Sequence, residues 1–508
     1  MKGTRANVAA NFAGRIWNVA LSLLLIPAYI KLVGSEGYGL IAFFATVQVI
    51  VNIFDLGTST TVSRVMARFS ADPAREPETR ALARTMEVTY WGIGALIGIL
   101  FALAAPFIAG VLHAGALSPR RLVQALLLMA AAVVLQWPLT FYGGATMGLQ
   151  RQVLWNAVNT AGLTLRGGGA LLVLLFVSPT VTAFFAWQAI ASAVHTAAAM
   201  VAMWRVTPRA GDPPRFRPAL LRNVYRFALA VSGLSILVVL LSQIDKVVLV
   251  RTISLAAFGE YALATSVATA IFLCVMPIAD SFLPRLTQLA AGDDRGAMAA
   301  TYHTVCQLMT IAVAPAVAVL VAFPDLFLRT WTRDGALASR VHLLLALLVA
   351  GQMLNVTTAM LDMLQTSYGW MKPALLTRSM ALVVMGPAMA YAALRFGGYG
   401  AAAVWLAIYT MYFAVAPQLV FRKLLPAQMT RWYLQDVLLP LGAALGVCAL
   451  LRSVAAPPAG WWGGAFFLAA AGVAALVAAA LVVPAGQAVA RSLFATLAQT
   501  QAARKALS

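Results

Sequence analysis

The sequence predicts an all-α polytopic membrane protein of about fourteen transmembrane helices. These form two six-helix lobes related by an internal repeat, plus a C-terminal helix pair. Three observations predict this class. Of 508 residues, 62% are hydrophobic and only 10% are charged, and the mean hydropathy is +0.86; a water-soluble domain with that balance would have too little polar surface to show. The apolar residues come in long unbroken runs, each near the ~20 residues that cross a bilayer, without the alternation of a membrane barrel. Polar residues inside those runs recur at steps of three and four, the period of a helix.

The spans fall at residues 9–33, 38–62, 87–112, 122–148, 153–177, 181–203, 224–250, 256–280, 304–323, 342–366, 373–394, 399–421, 434–452 and 463–483. Span one carries Asn7, Asn11, Arg15, Asn18 and Ser22. At 100° per residue they share an arc of roughly 80°, and Tyr29 extends the line. With this stripe it reads as a span and not as a cleavable signal. Pro27 is expected to bend it. Span two places Gln48, Asn52, Asp55 and Ser59 on one face. Span five offers Gln152, Asn156, Asn159 and Arg166, then Gly167-Gly168-Gly169, where a neighbour packs closely or the helix flexes. Span seven carries Ser232, Ser235, Ser242, Gln243 and Lys246, with Asp245 beside them. Span ten carries Asn355, Thr358, Asp362 and Thr366.

Charge sets the orientation. The net charge is +20, from 36 Lys and Arg against 16 Asp and Glu. Most of it sits in short loops between spans, the pattern of topology signals and anionic-lipid contact, not of a nucleic-acid binder. The heaviest loops hold Arg205, Arg209, Arg215, Arg217 and Arg222, and Arg64, Arg68, Arg75, Arg80 and Arg84. Placing both inside predicts cytoplasmic N- and C-termini.

The first half of the chain matches the second at an offset of about 220 residues. Gly37-Tyr38-Gly39-Leu40 opens span two and Phe258-Gly259-Glu260-Tyr261 opens span eight; acid and base follow in each, Asp55 and Arg64, then Asp280 and Arg285. An even number of spans before the repeat makes it a parallel duplication. The expected domains are a six-helix lobe at 1–203, a basic cytoplasmic linker at 204–223, a second lobe at 224–421, and a helix pair with a tail at 422–508.

No cofactor is indicated. Cys274, Cys306 and Cys448 are scattered, the four histidines match no metal pattern, and no phosphate-binding loop is present. The chemistry rests on charges inside spans, which are costly there and mark a substrate path. Arg15, Arg166 and Lys246 would attract an anion if they line one cavity, because guanidinium matches phosphate oxygens in a fork. Asn11, Asn18, Gln48, Asn52, Asn156, Asn159 and Gln243 suit sugar hydroxyls. The competing reading of the amides is helix-to-helix glue. Arg166 could pair with Asp362, and Lys246 with Asp245. Asp55 and Asp362 are candidate carriers for a coupling ion.

Several stretches carry a resemblance: Asn11 to Arg15, Gly34-Ser35-Glu36-Gly37-Tyr38-Gly39, Asp55-Leu56-Gly57, and Gln243-Ile244-Asp245-Lys246 followed by Gly259-Glu260-Tyr261. In these the chain resembles the polysaccharide transporter family, the Wzx-type flippases of the multidrug/oligosaccharidyl-lipid/polysaccharide exporter superfamily. Many of these have twelve spans; the fourteen read here match the related lipid II flippases. The resemblance implies translocation of undecaprenyl-diphosphate-linked oligosaccharide repeat units to the periplasmic leaflet, for O-antigen, capsule or exopolysaccharide, through a cationic cavity between rocking lobes. It implies membrane lipid and the pathway's polymerase and co-polymerase proteins as partners. No bond is broken in such work. One rival is a drug/cation antiporter of the same superfamily, which would favour acidic groups in its cavity. Another is a membrane polymerase or ligase, against which the short outer loops count; the longest runs from Phe323 to Val341.

Overall fold

The computed structural model describes residues 2–70, 72–115, 117–208, 215–455, 458 and 460–492, and, within these, side chains other than those of 2–13, 15, 16, 73, 223, 227 and 229–235. Helices and turns account for the fold, with no strand among the described residues.

The chain divides into two compact units, Met1–Ala262 and Leu263–Ser508. The first holds α1 (Lys2–Val51), α2 (Thr58–Ser70), α3 (Glu76–Val111), α4 (Pro119–Gln136), α5 (Pro138–Gly148), α6 (Gln152–Phe176), α7 (Val181–Val206), α8 (Pro218–Thr252) and the start of α9 (Leu255–Ala291). The second holds the rest of α9, then α10 (Arg295–Ala322), α11 (Pro324–Thr332), α12 (Gly335–Ser367), α13 (Lys372–Leu424) and α14 (Met429–Arg431). A π-helical turn, Trp432–Leu438, leads into α15 (Leu439–Val454), and α16 (Trp461–Leu481) follows. Caps explain several starts: the side chains of Thr180, Asp294 and Asp334 accept from the backbone N–H groups of Ala183, Ala297 and Leu337.

Eleven helical stretches among the described residues are long and apolar enough to cross a membrane, against the fourteen spans read from the sequence. Part of the difference is merging. α1 runs through the expected break at 34–37, and only Gly34 leaves helical geometry, at φ 76° and ψ 170°. α13 likewise passes the expected break near 395–398, bending at Gly397 (φ 57°, ψ −137°). A side chain would be strained at either positive φ, so one glycine replaces a loop. α8 covers the seventh span and is not among the eleven. The expected outer loop from Phe323 is instead helical, made of α11, which packs on α12 and α16, and the first turns of α12.

The second span needs correction. The sequence pattern has it unbroken from 38 to 62, with Gln48, Asn52, Asp55 and Ser59 on one face. Instead α1 ends at Val51, a 3-10 turn covers Asn52–Asp55, and Leu56 and Gly57 take left-handed φ of 48° and 69° before α2 begins. The Asp55 carboxylate accepts from the Ser59 backbone N–H (3.3 Å) and hydroxyl (2.8 Å), so it organises the first turn of α2.

Small residues set the closest packing. Gly144 and Gly148 of α5 face Ser59 and Ser63 of α2 at the same four-residue spacing. A Cβ on either glycine would lie 2.4 Å from a facing carbonyl oxygen. In the second unit, Ala314 and Ala318 of α10, Ala444 and Cys448 of α15, and Ala471, Ala475 and Ala479 of α16 interlock in one buried cluster. The linker before α8 is tied at both ends to α3: Arg80 Nη1 donates to Pro208 O (3.2 Å), and Arg217 N donates to Thr85 Oγ1 (2.9 Å). Large apolar side chains point outward, including Leu103 (74% exposed) and Phe107 (71%) on α3. Water does not tolerate such a surface and hydrocarbon does, so the chain is a multi-pass membrane protein.

Candidate functional site

The first unit carries a connected polar network across four helices. Arg166 on α6 donates from Nη1 to Gln136 Oε1 on α4 at 2.8 Å. Gln48 on α1 donates to the same oxygen. Gln136 Nε2 donates to Ser192 Oγ on α7 (2.8 Å), which donates to Gln188 O (2.5 Å), and Gln188 Nε2 returns to Arg166 O (3.3 Å). Thr196 Oγ1 donates to Leu135 O beside it (2.5 Å). Arg166 Nε is buried without a partner.

The seam between α1 and α6 fixes this arginine on both sides. Trp17 Nε1 donates to Thr164 Oγ1 (2.9 Å), and Tyr29 Oη donates to Gly167 O (2.7 Å). The triple glycine does not break α6. A Cβ on Gly167 would lie 2.8 Å from Leu25, and one on Gly169 would lie 2.4 Å from the Trp187 indole. Close packing, not flexing, is its use. Asn18 on α1 is partly buried, and its Oδ1 is buried without a partner. Asn156 and Asn159 are partly buried on α6, with Asn156 Oδ1 facing Gly14 of α1, while Asn52 is exposed. The side chains of Asn11 and Arg15 lie outside the described residues, as do those of Asn7, Ser232 and Ser235.

Lys246 and Gln243 bond to groups of α8 itself. Lys246 Nζ donates to Ser242 O (3.0 Å) and lies 3.4 Å from Asp245 Oδ1. Gln243 Nε2 donates to Ser242 Oγ (3.1 Å), and Tyr261 Oη donates to Asp245 Oδ2 (2.6 Å). Asp55 is engaged by hydroxyls: Tyr90 Oη donates to it, with Thr58 Oγ1 at 3.1 Å. In the second unit Asp362 pairs with Arg378. That replaces the Arg166 partner considered from sequence: Arg378 lies one turn-and-a-half into the adjoining helix.

Sequence reasoning missed several groups. Gln136, Gln188, Ser192 and Thr196 complete the Arg166 network; the step of four in the last three was the available signal. Glu87, 3% exposed, accepts from Tyr142 Oη (2.8 Å), Trp204 Nε1 (3.0 Å) and Arg84 Nη1 (2.8 Å). His303, 1% exposed, pairs through Nδ1 with fully buried Asp436, which also accepts from Gln307 Nε2 at 2.9 Å. No group of three or more metal-ligating side chains occurs among the described residues.

Comparison with known proteins bears on the whole arrangement. The family described as polysaccharide biosynthesis protein matches residues 4–290. The fold is similar to that of a lipid II flippase, MurJ, in an inward closed conformation (TM-score 0.70, 11% identity, 93% of this chain and 97% of that one). It is also similar to an inward-facing multidrug resistance MATE transporter (TM-score 0.64, 12% identity, 80% and 95%). A third match is a point mutant of the Vibrio cholerae MATE transporter VcmN (TM-score 0.55, 16% identity, 83% and 98%). No curated protein sequence matches the chain significantly. At such identities the structural likeness establishes the fold alone.

Proposed function

The chain belongs to the polysaccharide biosynthesis protein family, and on that premise we propose that it is a flippase for undecaprenyl-diphosphate-linked oligosaccharide repeat units. It moves them from the cytoplasmic to the periplasmic leaflet of a bacterial inner membrane, with both termini in the cytoplasm. The physical obstacle is the head group, whose diphosphate and sugars lose hydration in hydrocarbon unless other polar groups replace it. The protein supplies guanidinium for the phosphates and amides for the hydroxyls, exposes the site to each side in turn, and leaves the prenyl tail in lipid. No covalent chemistry is required.

The observation that carries this reading is Arg166, a guanidinium inside a membrane-crossing helix, oriented by Gln136 and with Nε unpaired. A neutral amide orients the charge without neutralising it, which leaves the cation for an anionic ligand. Asn18, with an unsatisfied carbonyl oxygen, adds a hydroxyl acceptor. Arg15, Asn11, Gln48, Asn52, Asn156, Asn159, Gln243 and Lys246 form the rest of the proposed binding set.

The test is the leaflet distribution of lipid-linked repeat units in a deletion strain with no second flippase. Accumulation on the cytoplasmic leaflet is expected, and normal surface polysaccharide refutes the reading. Restoration by wild type, weak restoration by Arg166→Lys and none by folded Arg166→Gln would place the guanidinium on the path. Export of organic cations that survives Arg166→Gln would instead indicate the drug/cation antiporter.

A further inference from the structure

A pocket of about 20 Å³ opens between α12 and α13 in the second unit, room for a water molecule. Asp362 and Arg378 form its charged wall, and Thr358, Gln365, Thr377 and Tyr412 supply the other polar groups. Gln365 is 4% exposed and Tyr412 is 8% exposed. Gln365 Oε1 and Tyr412 Oη are both buried without a partner, whereas Gln365 Nε2 is already committed to Leu361 O. Two orphaned polar atoms beside a void of this size call for a small polar occupant.

The charge balance decides which occupant. Asp362 lies five residues before the end of α12 and Arg378 six residues after the start of α13, so the turn between the helices holds both at similar depth. The guanidinium reaches the carboxylate, and the pair has 26% and 15% of its side-chain surface exposed for Asp362 and Arg378 respectively. Together they are neutral. A metal cation added there would bring net positive charge into the membrane or would have to displace a guanidinium tethered close by.

We propose that Arg378 is the built-in cation of Asp362, so that this carboxylate binds no metal ion, and that the pocket takes one neutral water bridging Gln365 Oε1 and Tyr412 Oη. The water donates one O–H to Gln365 Oε1 and accepts from Tyr412 Oη. The coupling role considered for Asp362 is thereby already filled from within the chain. The inference does not depend on which cargo is carried.

The experiment is thermal melting of the purified full-length protein in NaCl, LiCl, KCl or choline chloride at equal ionic strength. Wild type is expected to melt at one temperature in all four. Arg378→Gln, which unpairs Asp362, is expected to melt lower and to be raised saturably by NaCl or LiCl relative to choline, and Asp362→Asn/Arg378→Gln is expected to lose that response. Saturable sodium- or lithium-specific stabilisation of wild type that Asp362→Asn abolishes overturns the proposal, whether or not the Arg378 variant folds. A density map showing that pocket dry overturns the bridging water.

Discussion

Gly39 and Gly259 meet backbone to backbone. A Cβ on Gly259 would lie 3.0 Å from Gly39 N and 2.6 Å from Ser35 O, and one on Gly39 would lie 2.0 Å from Leu255 O. These glycines belong to the two matching motifs 220 residues apart, so the motifs serve, at least in part, as faces of one contact. Close helix approach needs residues without a side chain, which gives both motifs the same requirement.

Alanine at Gly39 or Gly259 is therefore expected to destabilise by about 1–3 kcal/mol through overpacking. Gly92 and Gly110, where a Cβ meets nothing within 4 Å, should accept alanine without loss. Apparent melting temperatures of the four variants check this, and equal values would remove the contact from any structural role.

Gln136 orients the guanidinium of Arg166 in the proposed site. Gln136→Leu should cost about 1.5–3 kcal/mol, because it removes a hydrogen bond to a charged group. Gln136→Glu should keep the fold but pair the guanidinium internally. Its affinity for a soluble prenyl-diphosphate analogue is expected to fall at least tenfold, measured by titration calorimetry; unchanged affinity would take Arg166 out of phosphate binding.

Asp55 accepts from Tyr90, Thr58 and Ser59, and a structural anchor should respond to loss of any donor. Tyr90→Phe is expected to lower stability by about 1–3 kcal/mol, and Asp55→Ala by more, in denaturant or heat without any substrate gradient. If both variants keep wild-type stability while transport stops, Asp55 acts as an ion carrier instead.

His303 and Asp436 form a buried pair that joins α10 to the π-helical turn. His303→Leu alone should cost about 3–5 kcal/mol by stranding the carboxylate, while His303→Leu/Asp436→Leu should recover much of it. A double-mutant cycle on melting reads the coupling, and strictly additive losses would mean there is none.

Helix identity was legible because lipid-facing runs such as that of α3 are apolar for most of their length. Boundaries were less so. At Gly34 and Gly397 a single residue departs from the helix, and neighbouring polar residues mimic a loop. At span two the Asp55-Leu56-Gly57 turn was readable from its glycine, but the periodic stripe through Ser59 pointed to unbroken helix. In the site, Arg166 stood out as a charge in an apolar run, whereas Gln136 is one amide 30 residues away. Arg378 lies near a helix start and reads as one more cytoplasmic-end charge. His303 and Asp436 are 133 residues apart, with no periodicity to join them.

Gly34 carries the whole departure from helix within α1. Two torsion angles at one residue consequently decide the heading of the N-terminal rod relative to the rod that holds Gln48. The bearing of Asn18 and Tyr29 is thus encoded not by any side chain but by the lack of one.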